Sequence, residues 1–188
     1  MIAEKLYPSI VAAFMVFAFS TNAFAEFFSI SGGIPVTQAF TGDDIDLEPD
    51  GMPYGAIVHV KFPIMVGVGY ETYAINIKDV NGTTDIIVFT EMIDVFYLFP
   101  IPVINVTLGL GTGRVEMDCK NSAGTSCSDL YHDALATQWW VQLGFPVFPS
   151  LDVHASYHSV SAIAEGINSA SNIDLSGTTM ALGVSFIF

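Results

Sequence analysis

Basic residues are what this chain has least of: Lys and Arg number 5 against 19 Asp and Glu, a formal charge of −14. That balance argues against nucleic-acid binding, which needs basic patches to neutralise phosphate. Charge of either sign is scarce, at 13% of residues, while 52% are hydrophobic. Long apolar runs are also missing. Ile10 to Phe19 is an apolar stretch of 10 residues, about half of what a spanning helix needs. Cysteine is limited to Cys119 and Cys127, with 7 residues between them. That gap is not metal-ligand spacing, and His132 is the only nearby third ligand.

What is present is alternation. The last segment, Met180-Ala-Leu182-Gly-Val184-Ser-Phe186-Ile-Phe188, places an apolar residue at every second position with mostly small residues between. This is the period of a β-strand with one greasy face. At the other end, the Ile10–Phe19 run is followed by Ser20-Thr21-Asn22 and then Ala23-Phe24-Ala25. An apolar core closed by an A-x-A site reads as a secretory signal peptide over residues 1–25, although Lys5 is offset by Glu4. Residues 26–188 then form one domain.

Candidate strands fall at 28–39, 54–62, 65–77, 85–98, 103–116, 134–145, 151–163 and 176–188. Each is long enough to cross a bilayer when tilted. Three connections are short and Phe-Pro-rich: Lys61-Phe62-Pro63-Ile64, Leu98-Phe99-Pro100-Ile101-Pro102 and Gly144-Phe145-Pro146-Val147-Phe148-Pro149. Between them lie longer polar segments at 40–53, 78–84, 117–133 and 164–175. Short turns at one end and long loops at the other are the organisation of a transmembrane barrel, with aromatics at the turn-side boundary. An even strand count puts both termini on the turn side. The face opposite the large apolar residues carries Gly, Ser, Thr, Asn and Gln, which suits a barrel lumen better than a soluble surface. Alternation by itself, however, does not say which face is inside.

Parity assigns the faces. Val58, Val60, Val66, Val68, Tyr70, Ile104, Val106, Leu108, Leu110, Trp139, Val141, Leu143, Val153, Tyr157, Leu182, Val184 and Phe186 share the lipid side. His59, Gly67, Gly69, Glu71, Asn105, Thr107, Gly109, Gly111, Gln138, Gln142, His154 and His158 share the other. Glu91 and Asp94 have opposite parity, so a regular strand cannot bury both. A two-residue turn at Asn81-Gly82 would send Glu91 into lipid; a longer loop or a bulge is the expected escape. Pro35 marks a second expected bulge.

The Ala23-Phe24-Ala25 end of the signal peptide, the Phe-Pro turns and the terminal Phe186-Ile-Phe188 together resemble the small bacterial outer-membrane β-barrels. These are the proteins grouped around outer membrane proteins A, X and W and the opacity-like proteins. The resemblance is architectural and covers the whole mature chain. It implies an all-β, eight-stranded antiparallel transmembrane up-and-down barrel in the bacterial outer membrane. It also implies contact with outer-membrane lipids and lipopolysaccharide, and recognition of Phe188 and Phe186 by the barrel-assembly machinery. A monomer is expected.

Few residues offer chemistry. Cys119 and Cys127, in an exported chain, are expected to form a disulfide stiffening the longest loop. Asp43, Asp44, Asp46, Glu48 and Asp50 make a solvated acidic loop; the likeness of Asp46–Gly51 to a calcium loop fails at Ile57, where a Glu is needed. His59, Lys61 and Glu71 form an interior polar cluster if Lys61 pairs opposite Gly67. Asp152-Val-His154-Ala-Ser156-Tyr157-His158, with Glu165 downstream, resembles the Ser–His sites of lipid A deacylases, but Tyr157 stands where that family has Asn. No catalytic, cofactor or metal site is expected. The expected role is envelope-structural or surface interaction through the acidic loops, with no nucleic acid involved. A narrow path for small apolar solutes, as in outer membrane protein W, is the alternative.

Overall fold

The computed structural model describes residues 28–42, 47–78, 85–101, 103–120, 130–167 and 171–188. The signal peptide expected over 1–25 lies outside these residues, as do Asp43, Asp44, Asp46, Cys127 and the Asn81-Gly82 pair. The strands are β1 (Ser29–Phe40), β2 (Tyr54–Lys61), β3 (Val66–Ile77), β4 (Asp85–Pro100), β5 (Asn105–Lys120), β6 (Ala134–Phe148), β7 (Leu151–Ala164), β8 (Ile173–Asp174) and β9 (Gly177–Ile187). Among the described residues there is no helix. β1 to β7 pair in sequence order, all antiparallel, and β9 pairs with both β7 and β1. The eight long strands therefore close into a barrel. β8 is a two-residue addition beside the end of β7.

Closure gives every long strand a neighbour on both sides, so ladder N–H and C=O groups pair without water; the β1–β2 ladder stops at Gly33 opposite Ile57, short of the end of β1. The alternating burial follows at once. Val68, Leu108, Trp139, Leu182 and Phe186 are exposed on the outside, while His59, Glu71, Thr107, Gln138 and His158 are buried inside. Large apolar side chains on the outer face and polar ones within are the inverse of a soluble barrel. Outward Phe62, Tyr97, Phe99, Phe145, Phe148 and Phe186 ring the turn end, where a bilayer boundary favours aromatics.

Three features depart from the sequence reading. β4 and β5 run to Pro100 and Lys120, 16 residues each, longer than crossing a bilayer requires. The third Phe-Pro segment is not a turn. β6 continues through it, Pro146 opposite Asp152, with a register shift between Pro146 and Phe148. That bulge accommodates the missing proline N–H, and Pro149-Ser150 alone make the turn. The ladder between β3 and β4 is regular, Thr72 opposite Glu91 and Gly69 opposite Asp94, so no bulge rescues Glu91. Pro35, by contrast, does mark a bulge: Pro35 faces Ala181 and Thr37 faces Met180.

The lumen is divided. Toward the turn end it holds His59, Lys61, Asp94, Gln142, His154 and Asp152, all buried. Toward the loop end it is apolar, with Ile75, Ile77, Val88, Met92, Val115 and Val160 lining the wall. Leu47, from the acidic loop after β1, and Ile173 and Leu175, around β8, pack into that end. The sequence reading expected small polar residues along the whole inner face; the loop-end half instead forms a packed apolar plug. A closed eight-stranded wall should resist SDS until heated. Unboiled protein should therefore migrate differently from boiled protein on electrophoresis, and identical mobility would contradict closure.

Candidate functional site

The polar half of the lumen is built by strand register. Lys61 pairs with Gly67 and His59 with Gly69, which sets Glu71 diagonally across from His59. The His59 Nε2 to Glu71 Oε1 distance is 3.7 Å. On the opposite wall, His158 Nδ1 stands 3.0 Å from the same Glu71 oxygen. His158 Nε2 meets Ser156 Oγ at 2.8 Å. Asp94 lies on the adjacent strand, and its Oδ1 accepts from Gln138 Nε2 at 2.8 Å. Glu71, Asp94 and His158 have no solvent exposure at all.

Aromatic rings fix these groups. The His59 ring stacks on Trp140 with centroids 4.6 Å apart and planes 2° from parallel. Phe96 tilts against it at 5.3 Å, and His158 stacks on the indole at 5.6 Å. So many large side chains fit only because neighbouring wall positions are glycine. A Cβ on Gly69 would lie 2.3 Å from His59 Cδ2, and one on Gly111 would lie 2.0 Å from Asp94 Oδ1. The small residues that parity placed inside are the space in which the functional groups sit.

The residues singled out from sequence separate in space. His154 does not meet Ser156: its Nδ1 is 3.1 Å from Ser185 Oγ on β9, and Ser156 belongs to His158 instead. Glu165 lies at the loop end, where its carbonyl accepts from the His132 N–H. The deacylase-like grouping is therefore not assembled. Ser156, His158 and Glu71 do line up in the order of nucleophile, base and acid, but all three are buried. Lys61 and Asp152 border a small cavity of about 30 Å³ at the turn end, together with His59 and Trp140. Phe186 and Phe188 are exposed at that same end, Phe188 donating its N–H to the Phe28 carbonyl. Cys119 is the penultimate residue of β5 and is buried; Cys127 is outside the described residues.

Outside the barrel, Glu91 faces outward and is not alone. Arg114 Nη2 lies 2.7 Å from Glu91 Oε2 and its Nη1 lies 2.9 Å from Glu116. The Tyr70 hydroxyl donates to Glu91 Oε1 at 2.7 Å. This cross-strand charge group explains why no bulge is needed. At the loop end Lys78 and Glu48 pair at 3.0 Å, which holds the ammonium above its ordinary range. Glu48 is thereby engaged, and the calcium-loop likeness loses one of its oxygens.

No family model and no curated protein matches this chain. Solved structures do. Neisserial surface protein A superposes with a TM-score of 0.60 at 10% identity, over 87% of this chain and 97% of that one. Ail, the attachment invasion locus protein of Yersinia pestis, gives 0.59 at 18%, over 86% and 97%. Outer membrane protein W of E. coli gives 0.56 at 12%, again over 86% and 97%. The fold is thus that of the small eight-stranded outer-membrane barrels. Its apolar outer band and these neighbours fit a location in the bacterial outer membrane.

The lumen network depends on the indole that carries both histidines. Trp140→Ala should destabilise the barrel by about 3–5 kcal/mol, measured by urea unfolding in detergent micelles and followed by far-UV circular dichroism. A loss below about 1 kcal/mol would mean the ring is not the centre of the packing.

Proposed function

We propose that this protein is a monomeric, non-enzymatic barrel of the outer membrane that acts at the cell surface through its acidic loop end. The observation carrying this reading is the apolar plug. With Leu47, Ile173 and Leu175 packed onto Ile75, Val88 and Val115, the barrel offers its surroundings a rim rather than a passage. That rim presents Asp50, Asp118, Asp133 and Glu165, all exposed. A disulfide between Cys119 and Cys127 would stiffen the β5–β6 loop above it and reduce the entropy lost on binding. Phe186 and Phe188 serve as the assembly signal, and lipopolysaccharide surrounds the outer band.

The charge of the rim narrows the partner. Ail has been solved in complex with the heparin analogue sucrose octasulfate. A chain of −14 formal charge repels such a polyanion, so a basic or cation-bridged partner is favoured here. Bacteria displaying the wild-type barrel should adhere to cultured cell monolayers more than bacteria whose residues 121–129 are replaced by a short Gly-Ser turn. Both barrels must remain heat-modifiable. Equal adherence would sink the surface-interaction reading.

The second reading is a narrow path for small apolar solutes, and the apolar lining of the loop-end lumen favours it. A packed plug next to a polar half argues that the path is shut to ions. Planar-bilayer recordings of the purified barrel should show no conductance steps. Steps that persist across preparations would return the solute channel to first place.

A further inference from the structure

We propose that the lumen holds a divalent transition-metal ion of the zinc class, bound by His59, Glu71 and Asp94. One ligand atom from each of these residues lies within 4.8 Å of the others, and all three side chains are buried. The deciding observation is what their atoms lack. Glu71 Oε1 is met by His158 Nδ1 at 3.0 Å, whereas His59 Nε2, Glu71 Oε2 and Asp94 Oδ2 have no hydrogen-bond partner. Buried polar atoms are normally satisfied, and two adjacent carboxylates are the costliest groups to leave unsatisfied. A cation between them meets that demand, its two positive charges matching two carboxylates with a neutral imidazole.

The surroundings have the form of an outer coordination shell. Gln138 donates to Asp94 Oδ1, leaving Oδ2 turned toward the other ligands. His158 stands 3.0 Å from Glu71 Oε1 and orients that carboxylate. Trp140 and Phe96 fix the His59 ring. Metal sites in proteins rely on such partners to hold each ligand in place. The donor set selects among metals. One imidazole with two carboxylates suits zinc and its first-row neighbours. Calcium requires six to eight oxygens, more than this narrow lumen supplies. The ion would arrive from the turn end, where the small cavity reaches His59 between Lys61 and Asp152.

The test uses the untagged full-length mature barrel, refolded in detergent micelles from metal-free buffer. It is titrated with Co(II) in the presence of excess Mg(II), which occupies the acidic loops. One equivalent should produce visible d–d bands of a low-coordinate site, and Zn(II) should abolish them. His59→Gln and Asp94→Asn should each eliminate the bands. Gln138→Leu, which touches no metal, should weaken binding roughly 10- to 100-fold. Absent bands in the wild-type protein would overturn the proposal and leave the two carboxylates sharing a proton instead. Bands that persist unchanged in His59→Gln and Asp94→Asn would overturn it too, assigning the ion to surface carboxylates. Should those variants fail the heat-mobility check, X-ray absorption of the wild-type Co(II) protein decides. One nitrogen with oxygen donors supports the site, and an all-oxygen shell excludes it.

Discussion

A backbone placed in lipid has no water to satisfy its polar groups, and every other property of this protein follows from meeting that constraint with eight strands. β9 is the element that meets it. Its register joins Ser29–Phe40 on one side and Leu151–Val160 on the other, so every long strand has a neighbour on both sides. Once closed, the wall has two faces and a period of two. Each residue is then committed either to acyl chains or to a lumen only a few side chains wide. The narrowness explains the composition. Phe96, His59, Trp140, Asp94 and His154 each project toward a wall position where a glycine stands, at 67, 69, 109, 111 and 183. A larger residue at any of these would compete for the same volume.

Period two is a strong signal, and so most of this architecture is legible in the sequence. The eight strands, the even topology, the outward band and the inward polar set can all be read by counting parity from Phe186 or Trp139. What parity cannot supply is position along the barrel axis. Ile75, Val88 and Val160 share a face with His59 and Gln138, and nothing in their alternation distinguishes them. They become a plug only because Leu47 and Leu175 arrive from distant loops. The one usable hint was that Ile75, Ile77 and Val88 break the small-polar character of the inner positions near the loop end.

The same limit governs the charged residues. Glu91 and Asp94 conflict within one strand, and sequence logic repairs such a conflict by altering the backbone. The protein leaves the ladder regular and alters the surroundings instead. Glu91 is neutralised across strands by Arg114 and by the Tyr70 hydroxyl, residues 23 and 21 positions away. Asp94 is accommodated inside, beside Gly69 and Gly111. Sequence distance hides both solutions, because a β-sheet makes neighbours of residues that are remote along the chain. The partner of Ser156 is hidden from sequence for a related reason. His154 and Ser156 share a face, but Ser156 and His158 share it equally. In the structure His158, stacked on Trp140 and beside Glu71, takes Ser156, while His154 turns to Ser185.

The division of the lumen also bears on how its charge is tolerated. Buried carboxylates are far more costly beside hydrocarbon than beside other polar groups. In this barrel Glu71 and Asp94 lie where apolar plug gives way to polar network. Met92 separates them along one wall from Val88 and Val115, while His59, His158 and Gln138 surround them from the other walls. An ionised pair at that junction is separated from the loop end by the packed apolar side chains of the plug. Its compensation must come from within the polar half or from the turn-end cavity that reaches His59. The plug therefore does more than close the barrel: it fixes the direction from which water, a proton or an ion can approach the buried acids.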